Sequence, residues 1–136
     1  MRNKTMIIGC GRLGSSIANY CSAQGLDVIV LDTNASSFEK LDETFSGYTV
    51  AADATDPDRL RDAGIDTVDE VIIATESDNT NLFLARLCAD IFQVPHVFVR
   101  FDDPDKGFLI DGASINAIYP FQLTMAALNK MRSGGR

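Results

Sequence analysis

Tryptophan is absent, histidine occurs once, and only three cysteines and four prolines are scattered along the 136 residues. Each scarcity removes a class of function. Cys10, Cys21 and Cys88 are odd in number and never stand at C-x-x-C spacing, so they form neither a zinc site nor a disulfide framework. Cys10 reads as a small loop residue rather than a redox sensor, because no second cysteine is placed to resolve it. His96 opens a strand-like run, at the edge of a parallel sheet opposite the expected crevice, so no Ser-His-Asp arrangement can be assembled around it. Tyr20, Tyr48 and Tyr119 lack a lysine at Tyr-x-x-x-Lys spacing. No acid-base or nucleophilic catalyst is therefore expected. Twelve Lys and Arg stand against 19 Asp and Glu, a formal net charge of -7, and the missing basic clusters exclude a nucleic-acid surface. No apolar run reaches the length of about 20 residues that crosses a bilayer. Met1-Arg2-Asn3-Lys4 leads directly into a strand rather than a signal segment, and the expectation is a cytoplasmic protein.

What the chain does carry is concentrated between Met6 and Asp32. The run Met6-Ile7-Ile8 is followed by Gly9-Cys10-Gly11-Arg12-Leu13-Gly14, a helical pattern, and the run Val28 to Leu31 closed by Asp32. Gly9 permits a tight turn off the first strand, Gly11 lets the backbone approach a pyrophosphate, and Gly14 lets the helix pack closely on the sheet. Phosphates then sit on the helix N-terminus, where unpaired N–H groups and the helix dipole favour negative charge. Asp32, with Thr33 beside it, is placed to hold a ribose 2′-OH, which disfavours NADP but does not separate NAD(H) from ATP, ADP or AMP. Arg12 adds a cation to the phosphate turn, which makes a free adenine nucleotide as credible a ligand as NAD.

Met6 to Ile8, Val28 to Leu31, Tyr48 to Ala51, Val71 to Ala74, Val97 to Val99 and Ile115 to Ile118 are short, β-branched-rich runs separated by helical patterns. This predicts an α/β fold, a Rossmann-like doubly wound six-stranded parallel sheet of order 3-2-1-4-5-6, plus a C-terminal crossover helix. The ligand crevice lies at the C-terminal ends of strands one and four. Leu13, Ile17, Tyr20 and Cys21 follow helical spacing on the first helix, and Leu82, Ala85, Leu87, Ala89 and Phe92 mark the helix before the fifth strand, both bounded by polar caps and loops. Residues 1–119 form the nucleotide-binding domain and 120–136 the last helix with a flexible end from Ser133. Phe121, Leu123, Met125, Ala126, Ala127, Leu128 and Met131 surround much of that helix with apolar side chains. Such a helix is buried on more than one side, either in its own domain or against a second subunit.

Three further loops reach the same edge of the sheet. In Ala52-Asp53-Ala54-Thr55, Asp53 or Thr55 can meet the adenine or ribose, while Thr55 or Asp56 before Pro57 caps a helix. Ala74-Thr75-Glu76-Ser77-Asp78-Asn79-Thr80-Asn81 forms the opposite wall, where Asp78 and Asn81 either satisfy the helix start or touch a ligand. Arg100 ends the fifth strand, where it either reaches a phosphate or pairs with the acids beside it. Asp102, Asp103 and Asp105 around Pro104 read as a solvated turn and cap rather than metal ligands.

Together these loops resemble the regulator of potassium conductance family, the TrkA-N domains of Trk and Ktr potassium-uptake systems. The resemblance rests on residues 9 to 14, Asp32, Asp53-Ala54-Thr55-Asp56 with Leu60 and Ala63-Gly64-Ile65, Ala74-Thr75 with Asp78 and Asn81, Val99-Arg100, and Ile118-Tyr119-Pro120. It implies a cytoplasmic regulatory protein, peripheral to the inner face of the cell membrane through a potassium channel or transporter subunit. It also implies homodimers and octameric rings, with NAD(H) or ADP/ATP as ligand. Gly9, Gly11 and Gly14 would form the phosphate turn, Asp32 would hold the adenosine ribose, Asp53 to Thr55 would edge the adenine, and Arg12 and Arg100 would face phosphates. On that pattern the last helix crosses onto the partner subunit. Phe121 stands where the family often has an acid after the proline, and the family's C-terminal ligand-binding domain has no counterpart up to Arg136. The competing reading, an NAD-dependent dehydrogenase cofactor domain or fragment, lacks substrate-holding and acid-base groups.

Overall fold

Runs of three or four apolar residues suit strands covered on both faces better than helices, and the computed structural model places all six in one sheet. The structure describes residues 4–110 and 114–134. The strands are β1 (Lys4–Ile8), β2 (Asp27–Asp32), β3 (Tyr48–Ala51), β4 (Glu70–Ile73), β5 (His96–Arg100) and β6 (Ile115–Ile118). All pairings are parallel in the order β3-β2-β1-β4-β5-β6. The chain leaves β1 toward β2 on one side and later returns to pair β4 on the other, with Ile8 matched to both Leu31 and Ile73. This switch point opens a crevice at the C-terminal ends of β1 and β4.

Helices cover both faces. Met6, Ile8, Leu31, Val71, Ile73, Val97 and Val99 pack with Leu60, Ile65, Leu84, Ala85 and Cys88 in one core layer. Ile7, Val28 and Val30 pack with Ala18 and Cys21 in the other. The first layer draws on α2 (Pro57–Asp62) and α3 (Asp78–Arg86), which runs on into a π-helical turn, Leu87–Ile91. The second draws on α1 (Arg12–Ala23). A short α4 (Pro104–Gly107) and the terminal α5 (Pro120–Gly134) complete the chain, and the crossover from β2 to β3 is a 3-10 helix, Ala35–Lys40.

The buried helix faces follow the apolar spacing only in part. In α1 the buried positions are Gly14, Ser15, Ala18 and Cys21, while Tyr20 is 65% exposed and its hydroxyl accepts from Gln24 Nε2. Along α3 and its π turn the fully covered face is Asn81, Leu84, Ala85 and Cys88, with Leu82, Leu87, Ala89 and Phe92 at its margin. His96 is exposed at the N-terminal end of β5, away from the crevice.

The last helix does not pack into its own domain. Residues 121–134 are all exposed, with Phe121, Leu123, Met125, Leu128 and Met131 among the large apolar side chains left in solvent. The flexible end expected from Ser133 is not found at its first two residues, because Ser133 and Gly134 continue α5; Gly135 and Arg136 lie outside the described residues, as do Met1 to Asn3.

Candidate functional site

The site begins where β1 ends. Gly9 adopts φ +101°, and a Cβ there would stand 2.8 Å from the Ala74 carbonyl carbon, so the turn off β1 lies directly against the loop after β4. Gly9 N–H also donates to Leu31 O at 2.8 Å, which fixes the turn to β2. A Cβ on Gly14 would fall on the Gly9 carbonyl oxygen. Helix and turn thus touch backbone to backbone. Gly11 is different, because a Cβ there would meet nothing within 4 Å. Its open side faces the crevice, where an oxyanion can approach the backbone.

The start of α1 favours an anion for a second reason. Asp56, Ser77 and Asp103 place side-chain oxygens on the first-turn N–H groups of α2, α3 and α4, whereas Gly11 caps α1 with no side chain and no acid follows in its first turn. The α1 donors are left without a side-chain acceptor at the end that carries the helix dipole's positive pole.

Asp32 joins the phosphate turn to the second strand. One carboxylate oxygen accepts from Cys10 N–H and the other from Asn34 N–H, both at 2.8 Å. Each oxygen keeps a further acceptor direction for a hydroxyl pair. Asp53, in the loop after β3, accepts from Thr55 Oγ1 at 2.6 Å and from Thr55 N–H at 2.9 Å, and these bonds hold its carboxyl below the usual range. The capping role falls to Asp56, which accepts from Asp58 N–H and leaves Thr55 at the crevice.

The opposite wall is tied together by a buried amide. Asn81, fully buried, donates from Nδ2 to Thr75 O at 3.0 Å and to Arg100 O at 2.9 Å, while its Oδ1 accepts from the Thr75 hydroxyl. The ends of β4 and β5 are thereby held at a fixed spacing. Ser77 caps α3, and Asp78 reaches instead to the β5–α4 loop, accepting from Asp102 N–H and Asp103 N–H at 2.9 Å each. Arg100 is half-buried and paired with Asp102.

These walls enclose a cleft of about 930 Å³, at the upper end of ordinary ligand pockets and large enough for a dinucleotide. Of the residues expected from sequence, Gly9, Gly11, Arg12, Asp32, Thr33, Asp53, Ala54, Thr55, Ala74, Thr75 and Arg100 line it. Leu13 and Gly14 stand behind the turn, and the carboxylate of Asp78 serves the neighbouring loop. Ser37, Lys40, Glu76, Ser77 and Thr80 line the cleft as well. Lys40 reads in sequence as an ordinary solvated lysine, and only the packing of the 3-10 helix beside β2 brings it to the cleft.

The cleft is lined by three cations, Arg12, Lys40 and Arg100, and three carboxylates, Asp32, Asp53 and Glu76, whereas the chain as a whole carries a net charge of -7. Arg12 and Lys40 both line it, and among the described residues neither forms an ion pair. Two cations without carboxylate partners in one cleft are able to meet an anion. Cys10 beneath them is chemically quiet. Burial and then the Asp32 carboxylate push its thiol up, against the pull of Lys40, and its Sγ donates to Ser37 O at 3.4 Å. Burial likewise pushes Cys88 up to about 12. Among the described residues no group of three or more His, Cys, Asp or Glu could hold a metal ion.

Residues 5–120 match the TrkA-N domain. The chain belongs to the TrkA-N domain family. A Trk system potassium uptake protein TrkA from Streptomyces coelicolor is 37% identical over 101 residues, which cover 74% of this chain and 45% of that protein. A TrkA homolog from Pyrococcus abyssi is 29% identical over 101 residues, 74% of this chain and 44% of its own length. The chain therefore spans a little under half of these two relatives. Among solved TrkA-N-like folds, GsuK bound to ADP superposes with a TM-score of 0.84 at 24% identity, covering 98% of this chain and 35% of that one. The AMP-bound Kef CTD of Shewanella denitrificans gives 0.75 at 20% identity, covering 98% and 83%. GsuK bound to NAD gives 0.71 at 20% identity, covering 88% and 22%. No helix among the described residues of this TrkA-N chain is long and apolar enough to cross a membrane.

Proposed function

We propose that this TrkA-N chain is a nucleotide-binding regulatory module of a potassium-uptake system, taking NAD(H) or ADP, ATP or AMP and performing no catalysis of its own. The observation that carries this reading is the open space over Gly11, in a cleft that also holds the start of α1, which no side chain caps, and the cations Arg12 and Lys40. Phosphates rest on the backbone of Gly9 and Gly11 with Arg12 above them, and Leu13 and Gly14 back the turn from behind. Asp32 takes the ribose hydroxyls, with Thr33 beside it. Asp53, Ala54 and Thr55 edge the adenine, and Ala74, Thr75 and Arg100 face what lies beyond the phosphates. Asp78 contributes by holding the β5–α4 loop that follows Arg100. The ADP-, AMP- and NAD-bound neighbours support an adenine nucleotide without choosing among these three.

The ligand acts through assembly. A nucleotide shifts an assembly only by binding its states unequally. The partner is a potassium channel or transporter subunit, with the module on the inner face of the cell membrane, as the TrkA relatives suggest. The exposed apolar surface of α5 is the dimer contact, crossing onto a second copy.

Thermal unfolding with NAD, NADH, NADP, ADP and ATP tests the ligand class. A nucleotide at about 100 times its dissociation constant stabilises the fold by about 2.7 kcal/mol. Asp32→Ala and Arg12→Ala are expected to diminish that shift, and NADP is expected to give the smallest one. A best response to NADP, or none to any adenine nucleotide, would overturn the assignment. Sedimentation tests the dimer: the whole chain is expected to sediment as a dimer or larger, and a chain ended after Pro120 as a monomer. Monomers in both cases would remove α5 from the interface.

A further inference from the structure

Arg100 differs from the other two cations of the cleft in that its charge is already engaged. Its Nε donates to Asp102 Oδ1 at 3.0 Å and its Nη2 to Asp102 Oδ2 at 3.4 Å, two nitrogens facing two oxygens of one carboxylate. That is the geometry in which a guanidinium also takes two oxygens of a phosphate. Both side chains keep access to solvent, 20% for Arg100 and 32% for Asp102, so a ligand can reach the pair. The backbone beneath Asp102 is fixed independently, because its N–H and that of Asp103 donate to Asp78. The carboxylate can therefore swing away from Arg100 while its loop stays in place.

We propose that Asp102 is a specificity-determining residue of the nucleotide cleft, an internal competitor that holds Arg100 until a ligand phosphate displaces it. This rests on the nucleotide reading above and concerns how that site selects. A ligand that offers Arg100 only a neutral group does not displace a bidentate carboxylate. A phosphate does, since it brings at least equal charge and the same two-oxygen geometry. The released carboxylate is solvated, since the Asp102 side chain is already part-exposed. The pair thus sets a threshold, favouring ligands that carry a phosphate as far as the end of β5 and rejecting those that merely fit the adenosine half.

Titration calorimetry with ADP, using the whole chain as wild type, Asp102→Asn, Arg100→Ala and the double variant, tests the exchange. The amide of Asp102→Asn keeps the shape of the side chain and leaves the backbone bond to Asp78 in place, and a melting temperature equal to the wild type's checks the fold. Asp102→Asn is expected to bind ADP about threefold to tenfold more tightly, in line with the modest worth of a partly exposed ion pair. Arg100→Ala is expected to bind more weakly, and the double variant no better than Arg100→Ala. If Asp102 merely orients Arg100 toward the ligand, Asp102→Asn binds more weakly than wild type, and the proposal is overturned. A gain that persists without Arg100 overturns it as well. Failure of all four proteins to bind ADP or NAD would instead overturn the nucleotide reading, and the exchange with it.

Discussion

Gly14→Ala is expected to lower the melting temperature by about 10 °C, corresponding to about 3 kcal/mol for a domain of this size, and to abolish nucleotide binding at the same time. The added methyl would land on the Gly9 carbonyl oxygen, and neither side of the contact can give way easily. Gly9 N–H is bonded to Leu31 O, and the space beside Gly9 is closed by Ala74, whose carbonyl carbon a Cβ on Gly9 would approach to 2.8 Å, so the turn is held from β2 and from β4. On the other side α1 is anchored by Ala18 and Cys21 in the core layer over Ile7, Val28 and Val30. Retreat of the helix would open that layer. Thermal unfolding by circular dichroism measures the loss, and a melting temperature within about 2 °C of wild type would mean that helix and turn are less tightly joined than this packing requires.

Asn81→Leu is the second large effect expected. The side chain is fully buried and makes three bonds, and leucine of similar size removes all of them, leaving the Thr75 and Arg100 carbonyls to find new partners and the Thr75 hydroxyl with Ser77 alone. Each buried polar group left unsatisfied costs about 1–3 kcal/mol, and a total of about 3 kcal/mol is expected after local relaxation. Because those bonds set the spacing between the ends of β4 and β5, the far wall of the cleft is expected to loosen. Amide exchange at residues 75–77 and 100–102 should rise even under conditions where the variant remains folded. A stable variant with unchanged exchange there would show that the wall is held by α3 packing alone.

The architecture was legible because the apolar runs are short, β-branched and regularly spaced, and the switch point follows from right-handed crossovers. The glycine turn was legible for a comparable reason: its positions are fixed by backbone approach, and a residue without Cβ is visible in a linear string. Side chains whose roles depend on a second element were harder to read. Asp78 looked equally suited to a ligand, and its bonds to Asp102 and Asp103 depend on the approach of a loop more than 20 residues away. Lys40 was not singled out, since its place in the cleft comes from the 3-10 helix and not from any pattern around it. Helical spacing alone does not fix the buried face of α1: Tyr20 is apolar enough to join the periodic pattern, yet its hydroxyl is met by Gln24 on the surface. The apolar pattern of α5 predicts burial on more than one side, and the domain itself covers none of residues 121–134.

The central claim is that the glycine turn opens onto a phosphate site, and Gly11→Val tests it most directly, because this position separates the site from the fold. Gly11 has a φ of -82° and ψ of -159°, an extended conformation that valine accepts, and its added carbon atoms would enter open space rather than protein. Only the space for a phosphate is filled. Titration calorimetry with ADP and with NAD is predicted to show binding to the wild type and a loss of at least about 100-fold in Gly11→Val, with the melting temperature of the free protein changed by no more than about 4 °C. Equal affinity of the two proteins for the nucleotide that binds would contradict the account, because a phosphate could not then lie over Gly11.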